Sequence, residues 1–144
     1  MRSYLVVGNQ TLDSPELAAA IEERLAPEPA TFHIVVPATP IHRGLTWDED
    51  EARAAAQERL DAALERLGAA GATVTGEIGH RDPIEATEDA LRGRDVDEVL
   101  LSTLPPGMSR WLGQDVPTRL KGSIMVPVTV VTTARQSIPT TPAG

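Results

Sequence analysis

The residues with most chemistry to offer stand together in Ser102-Thr103-Leu104-Pro105-Pro106-Gly107-Met108-Ser109-Arg110-Trp111. The Ser102 and Thr103 hydroxyls can hydrogen-bond a ligand or satisfy the loop's own backbone. Pro105 and Pro106 remove two backbone donors and Gly107 supplies a permissive turn, so the loop is stiff. It serves either as a pre-shaped rim or as a tight connection. Ser109 can cap a short helix that follows, and a helix start offers free N–H groups to an anion. Arg110 beside them can grip a phosphate bidentately, or pair with an acid such as Asp115. Trp111 either packs or stacks on a ligand, and packing is favoured because only 3% of the chain is aromatic and a ring this large anchors its loop. A second polar group, Asn9-Gln10-Thr11, brings uncharged amides and a hydroxyl. These can orient a base or a sugar, or form a turn ahead of a helix.

Other chemistries find no support. The chain has no cysteine, which excludes disulfides and thiolate nucleophiles. His33, His42 and His80 lack metal-ligand spacing, and the acids of Trp47-Asp48-Glu49-Asp50-Glu51 read as a helix first turn rather than a calcium loop. No G-x-S-x-G elbow and no G-x-x-x-x-G-K-[ST] loop is present. Hydroxyls with an arginine can bind a phosphate without acting on it. His42 and Arg43 either approach the same crevice from a neighbouring loop or are solvated.

The elements that must position these groups read clearly. Residues 4–8 form a β-branched first strand. Ser14 caps a helix with Pro15 at its first position, and Leu17, Ile21 and Leu25 give it one apolar stripe ending near Pro27. Residues 31–37 are the second strand. Thr46 and Glu49 have capping-box spacing for a long helix to about Leu67, ended by Gly68 and Gly71. Residues 72–80 make a more exposed third strand. Asp82-Pro83 opens a third helix running to about Arg92. Residues 96–103 make a fourth strand, apolar at consecutive positions and so covered on both faces. A short helix starts at Asp115 or Val116 and ends at Gly122. Residues 125–133 are the last strand. Strands alternating with helices imply an open, mostly parallel α/β sheet, whose ligands sit beyond the carboxyl ends of its strands.

At 144 residues the chain is expected to be one domain, residues 1–133, with a disordered tail at 134–144. The net charge of −8, without a basic patch, argues against a nucleic-acid partner. No apolar run approaches the roughly 20 residues of a membrane span, and no secretory signal is visible, which fits a cytoplasmic protein.

With that order of elements, the segments GATVTGEIGHRDPIEATEDAL, VDEVLLS and GSIMVPVTVV resemble the universal stress protein superfamily over residues 3–133. The resemblance implies a five-stranded parallel sheet in the order 3-2-1-4-5, helices on both faces, and a homodimer paired near the last strand. ATP-binding members carry an aspartate at the end of strand 1 and G-x2-G-x9-G-[S/T] after strand 4. This chain departs at both places. Strand 1 ends in Gly8-Asn9-Gln10. After strand 4, Arg110 stands three residues beyond Gly107, where the second glycine would be, while Gly122-Ser123 keeps the closing pair. It resembles a divergent branch. The first reading is therefore a small-molecule-binding or regulatory protein holding a nucleotide, ATP among them, or a phosphorylated metabolite. Its ligand groups would be Asn9, Gln10, Thr11, Ser102, Thr103, Gly107, Ser109, Arg110, Gly122 and Ser123. The second reading is a dimeric interaction module that has lost its nucleotide. The third is a slow nucleotide hydrolase.

Overall fold

Helix starts are fixed by short polar residues that accept the first free N–H groups. Ser14 Oγ accepts from Leu17 N at 3.1 Å, with Pro15 next in the chain, and Asp82 Oδ1 accepts from Ile84 N at 2.9 Å, with Pro83 next. A computed structural model describes residues 1–38 and 49–134, without the side chains of Glu49 and Arg110. The elements in order are β1 (Arg2–Val7), α1 (Pro15–Leu25), β2 (Ala30–Pro37), α2 (Glu49–Ala69), β3 (Thr73–Gly79), α3 (Pro83–Leu91), β4 (Glu98–Thr103), α4 (Arg110–Gly113), α5 (Val116–Ser123) and β5 (Val128–Thr132). The expected capping box at Thr46, the residues His42, Arg43 and Trp47, and the tail beyond Ala134 lie outside the described residues.

All four strand pairings are parallel and the order is β3-β2-β1-β4-β5. Helices cover both faces, as the alternation of strands and helices requires. On one face Tyr4, Val6, Phe32, Ile34 and Leu100 pack with Leu17 and Ile21 of α1 and with Leu60 and Leu67 of α2. Tyr4 and Phe32 stack there, with ring centroids 5.1 Å apart. On the other face Leu5, Val7, Val35, Val99 and Leu101 pack with Ala86 and Ala90 of α3 and with Val116 and Leu120 of α5. Successive residues of β1 thus enter opposite cores, which is why this strand reads as one continuous apolar run.

Several boundaries differ from the expected ones by one to three residues, among them β1 (Arg2–Val7 for 4–8), β3 (Thr73–Gly79 for 72–80) and β4 (Glu98–Thr103 for 96–103). α5 runs through Gly122 to Ser123, and β5 spans Val128–Thr132 instead of 125–133. Met125 and Val126 form a bend because the chain must turn from the end of α5 back into the sheet. Pro127, without an N–H, brings its carbonyl to Val99 N at 2.8 Å just ahead of the strand. Among the described residues no helix is long and apolar enough to cross a membrane.

Candidate functional site

The strand order reverses between β1 and β4. The chain leaves β1 toward α1 on one face and leaves β4 toward α5 on the other, which is where open parallel sheets form a crevice. Gly8 continues β1, donating its N–H to the Val35 carbonyl at 3.3 Å. A Cβ at Gly8 would lie 3.1 Å from both Ser102 Cβ and Leu12 Cδ2. Glycine lets the first loop close down on β4 without pushing either neighbour aside. Thr11 then meets Ser102, their hydroxyl oxygens 2.5 Å apart, with the residues 4% and 1% exposed. Gly8→Ala is expected to destabilise the fold by about 1 kcal/mol through overpacking, read from the midpoint of chemical denaturation.

Asn9 is buried and engaged at both ends of its amide. Its Nδ2 donates to the Pro37 carbonyl at 2.8 Å, and its Oδ1 accepts from Arg59 Nη1 at 2.7 Å. Arg66 Nη2 donates to the Leu12 carbonyl at 2.7 Å. Arg59 and Arg66 stand two helical turns apart on α2, so one face of that helix clasps the whole β1–α1 loop. Sequence reasoning missed both. The signal was present, two arginines flanking the apolar row Ala56, Leu60, Ala63 and Leu67, but their targets lie far away in the chain. Gln10 stands exposed at the apex of the loop.

On the β4 side, the Thr103 hydroxyl donates to Thr132 Oγ1 at 3.2 Å. Pro105 is buried, whereas Pro106, Gly107 and Met108 are exposed at the tip. The Pro105 carbonyl accepts from Met108 N at 3.0 Å and from Ser109 N at 3.1 Å, and Gly107 turns the chain at φ 88°. Ser109 Oγ accepts from Leu112 N at 3.1 Å and so caps α4. Trp111, 8% exposed, packs into the core beneath α3 and α5. Arg110 opens α4, and its guanidinium lies outside the described residues. Asp115 precedes α5 in the left-handed region, φ 58°, and its carboxylate makes no capping bond to that helix. At the margin of the site, Thr133 N donates to the Thr103 carbonyl at 2.9 Å and Ala134 N to Glu16 Oε2 at 3.1 Å.

The fold thus brings Asn9, Gln10, Thr11, Ser102, Thr103, Gly107 and Ser109 to one edge. It does not bring Gly122 and Ser123 there. Both lie in the last turn of α5, which runs against the strands and ends at the opposite edge, where the Ser123 hydroxyl donates to Glu88 Oε2. The four buried polar groups of the floor, Asn9, Thr11, Ser102 and Thr103, are each bonded inside the protein. No group of three or more His, Asp or Glu among the described residues is arranged to hold a metal ion.

No protein-family model matches this sequence, and no curated protein matches it. Solved structures do match. A protein of the universal stress protein family from Burkholderia pseudomallei superposes with a TM-score of 0.61 at 20% identity, covering 90% of this chain and 94% of that one. The universal stress protein from Archaeoglobus fulgidus superposes with a TM-score of 0.58 at 20% identity, over 91% of this chain and 93% of that one. A structure of the A. fulgidus universal stress protein in complex with dAMP gives a TM-score of 0.57, also at 20% identity, over 91% and 97% of the two chains. The chain has the universal stress protein fold.

Proposed function

We propose that, on this universal stress protein fold, the chain works as a regulatory interaction module of the cytoplasm. It pairs with a second copy through β5 and does not depend on a nucleotide. The observation that carries this reading is the closed floor of the crevice. Asn9, Thr11, Ser102 and Thr103 are spent on bonds within the protein, and breaking them to seat a ligand leaves buried groups unpaired at about 1–3 kcal/mol each. The buried Pro105 and Trp111 stiffen the same edge.

The pairing surface follows from the edge position of β5. The Pro127 carbonyl and the Thr133 N–H both face β4, so by alternation the N–H groups of Val128, Val130 and Thr132 face outward. An apolar edge strand with free N–H groups invites a partner strand. Val130→Pro removes one outward donor and leaves the β4 ladder intact. In sedimentation, the wild-type chain is expected to run as a dimer and Val130→Pro as a folded monomer. A monomeric wild type, or a variant that stays dimeric, would sink the pairing.

A second reading is favoured by the dAMP bound to the A. fulgidus protein. A nucleotide or phosphorylated metabolite would then sit on the rim of Gln10, Gly107 and Arg110, above the closed floor. A thermal-shift screen with ATP, ADP, AMP, dAMP and sugar phosphates separates the two. Binding to the native state alone adds about 2.7 kcal/mol at a hundredfold excess over Kd. The module reading expects no shift. A shift abolished by Arg110→Ala establishes the ligand reading, and phosphate release in the same wells identifies a slow hydrolase.

A further inference from the structure

β2 and β3 carry three hydrogen-bonded side chains that the crevice does not use. His33 is the register partner of Thr75, and Val35 is the partner of Glu77, so all three side chains leave the same face of the sheet. The imidazole is held at both nitrogens. Nδ1 lies 2.7 Å from Thr75 Oγ1, and Nε2 lies 2.7 Å from Glu77 Oε2. A carboxylate only accepts, so in the neutral ring Nε2 carries the hydrogen. Nδ1 is then a bare lone pair, and the Thr75 hydroxyl must be the donor. In that tautomer the Thr75 proton points at a base. Arg94 Nη1 lies 3.5 Å from the same Glu77 oxygen and also donates to the Ala90 carbonyl at 2.9 Å. His33 is buried and fixed, whereas Thr75 is exposed.

Hydroxyl to imidazole to carboxylate is the order of an activated oxygen nucleophile. β3 is also the margin of the sheet. The Gly79 carbonyl faces β2, accepting from Ala38 N at 3.2 Å, so by alternation the N–H of Gly76, next to Thr75, faces away from β2. That N–H stands outside the ladder with β2, the kind of donor an oxyanion takes. We propose that Thr75 is a nucleophilic hydroxyl that takes the acyl group of a small activated ester. Thr75 Oγ1 bonds to the ester carbonyl carbon while its proton passes to His33 Nδ1, and Glu77 stabilises the imidazolium. Collapse of the tetrahedral adduct breaks the carbon–oxygen bond to the leaving group, which departs with the electron pair and takes the proton back from Nδ1. Acyl-threonine remains, and the ring returns to its starting tautomer. This site shares no residue with the crevice and stands whichever reading of the crevice holds.

The probe is p-nitrophenyl acetate, with release of p-nitrophenolate timed and the acetylated peptide located by mass spectrometry. The wild type is expected to carry acetyl on Thr75. Thr75→Ala abolishes that adduct, and Thr75→Ser keeps it. His33→Gln slows it about 100-fold, the lower end of what a general base supplies. Should His33→Gln unfold, Glu77→Gln serves in its place, because the Glu77 side chain is 44% exposed and its loss leaves the packing intact while removing the orienting carboxylate. Acetylation confined to Lys121 or the amino terminus would overturn the proposal. So would labelling of Thr75 at equal rates in the wild type and in the folded His33 or Glu77 variant.

Discussion

Asn9→Ala is expected to lower stability by about 3 kcal/mol, the loss of one buried amide that joins three segments. Its Nδ2 holds the Pro37 carbonyl at the end of β2, and its Oδ1 holds Arg59 of α2. Alanine leaves the carbonyl of a buried residue unpaired and takes an acceptor from a charged donor. Each such loss costs roughly 1–3 kcal/mol, and half-buried Arg59 recovers part of its share by turning to water. Urea denaturation measures the total. A double-mutant cycle with Arg59→Ala isolates the side-chain bond, with an expected coupling of about 1 kcal/mol. The outcome bears on function. A group kept free for a ligand is typically neutral or even stabilising to remove. A near-zero effect of Asn9→Ala would therefore contradict the closed-crevice reading and return Asn9 to the ligand set.

Glu98→Ala is the second large effect, also about 3 kcal/mol. Glu98 opens β4 at the edge opposite the crevice. Arg24 Nε and Nη2 donate to its two oxygens, each at 2.9 Å, and the Thr129 hydroxyl donates to Oε2. Arg24 also donates to the Ala20 carbonyl at 2.8 Å and lies 6.0 Å from the centre of the Tyr4 ring. The Arg24 and Glu98 side chains are 17% and 21% exposed, so removing one partner strands the other largely out of water. Full burial makes that loss worth about 3–5 kcal/mol, and the remaining exposure places this pair at the low end. The same geometry sets a pH dependence. The Arg24 hydrogen bond, helped by Thr129 and opposed by burial, holds the Glu98 carboxyl below its ordinary value of 4.5. A carboxyl depressed by folding contributes stability that is fully present above that ordinary value. The contribution is lost as pH falls through the folded value. Denaturation midpoints followed downward from pH 4.5 should fall more steeply in the wild type than in Glu98→Gln. Parallel curves would show that the pair adds nothing to acid sensitivity.

Much of the architecture was legible before any tertiary information, because its causes are local. The caps at Ser14 and Asp82 bond to N–H groups three and two residues away, so both helix starts were readable from adjacent residues. The consecutive apolar residues of β4 announced a strand covered on both faces, and β3 read as the more exposed strand that it is. The prolines and glycine after β4 were legible as a stiff turn, and Ser102 and Thr103 as the polar end of the strand. Residue types alone left their use open between binding and self-satisfaction.

Which partners these groups find belonged to the tertiary structure, because those partners are remote in the chain. Thr11 and Ser102 are 91 residues apart, and Asn9 and Pro37 are 28 apart. They meet only because the order β3-β2-β1-β4-β5 sets β1 between β2 and β4 and because Gly8 has no Cβ to hold the loops apart. The clasp of Arg59 and Arg66 depends on α2 packing on the same face as the β1–α1 loop. Gly122 and Ser123 show the converse. The family resemblance implied a ligand role for this closing pair, yet the direction of α5 carries it to the far edge. Local chemistry is written in adjacent residues, while the partner of each buried polar group is set by strand order and helix direction, which no short stretch of sequence contains.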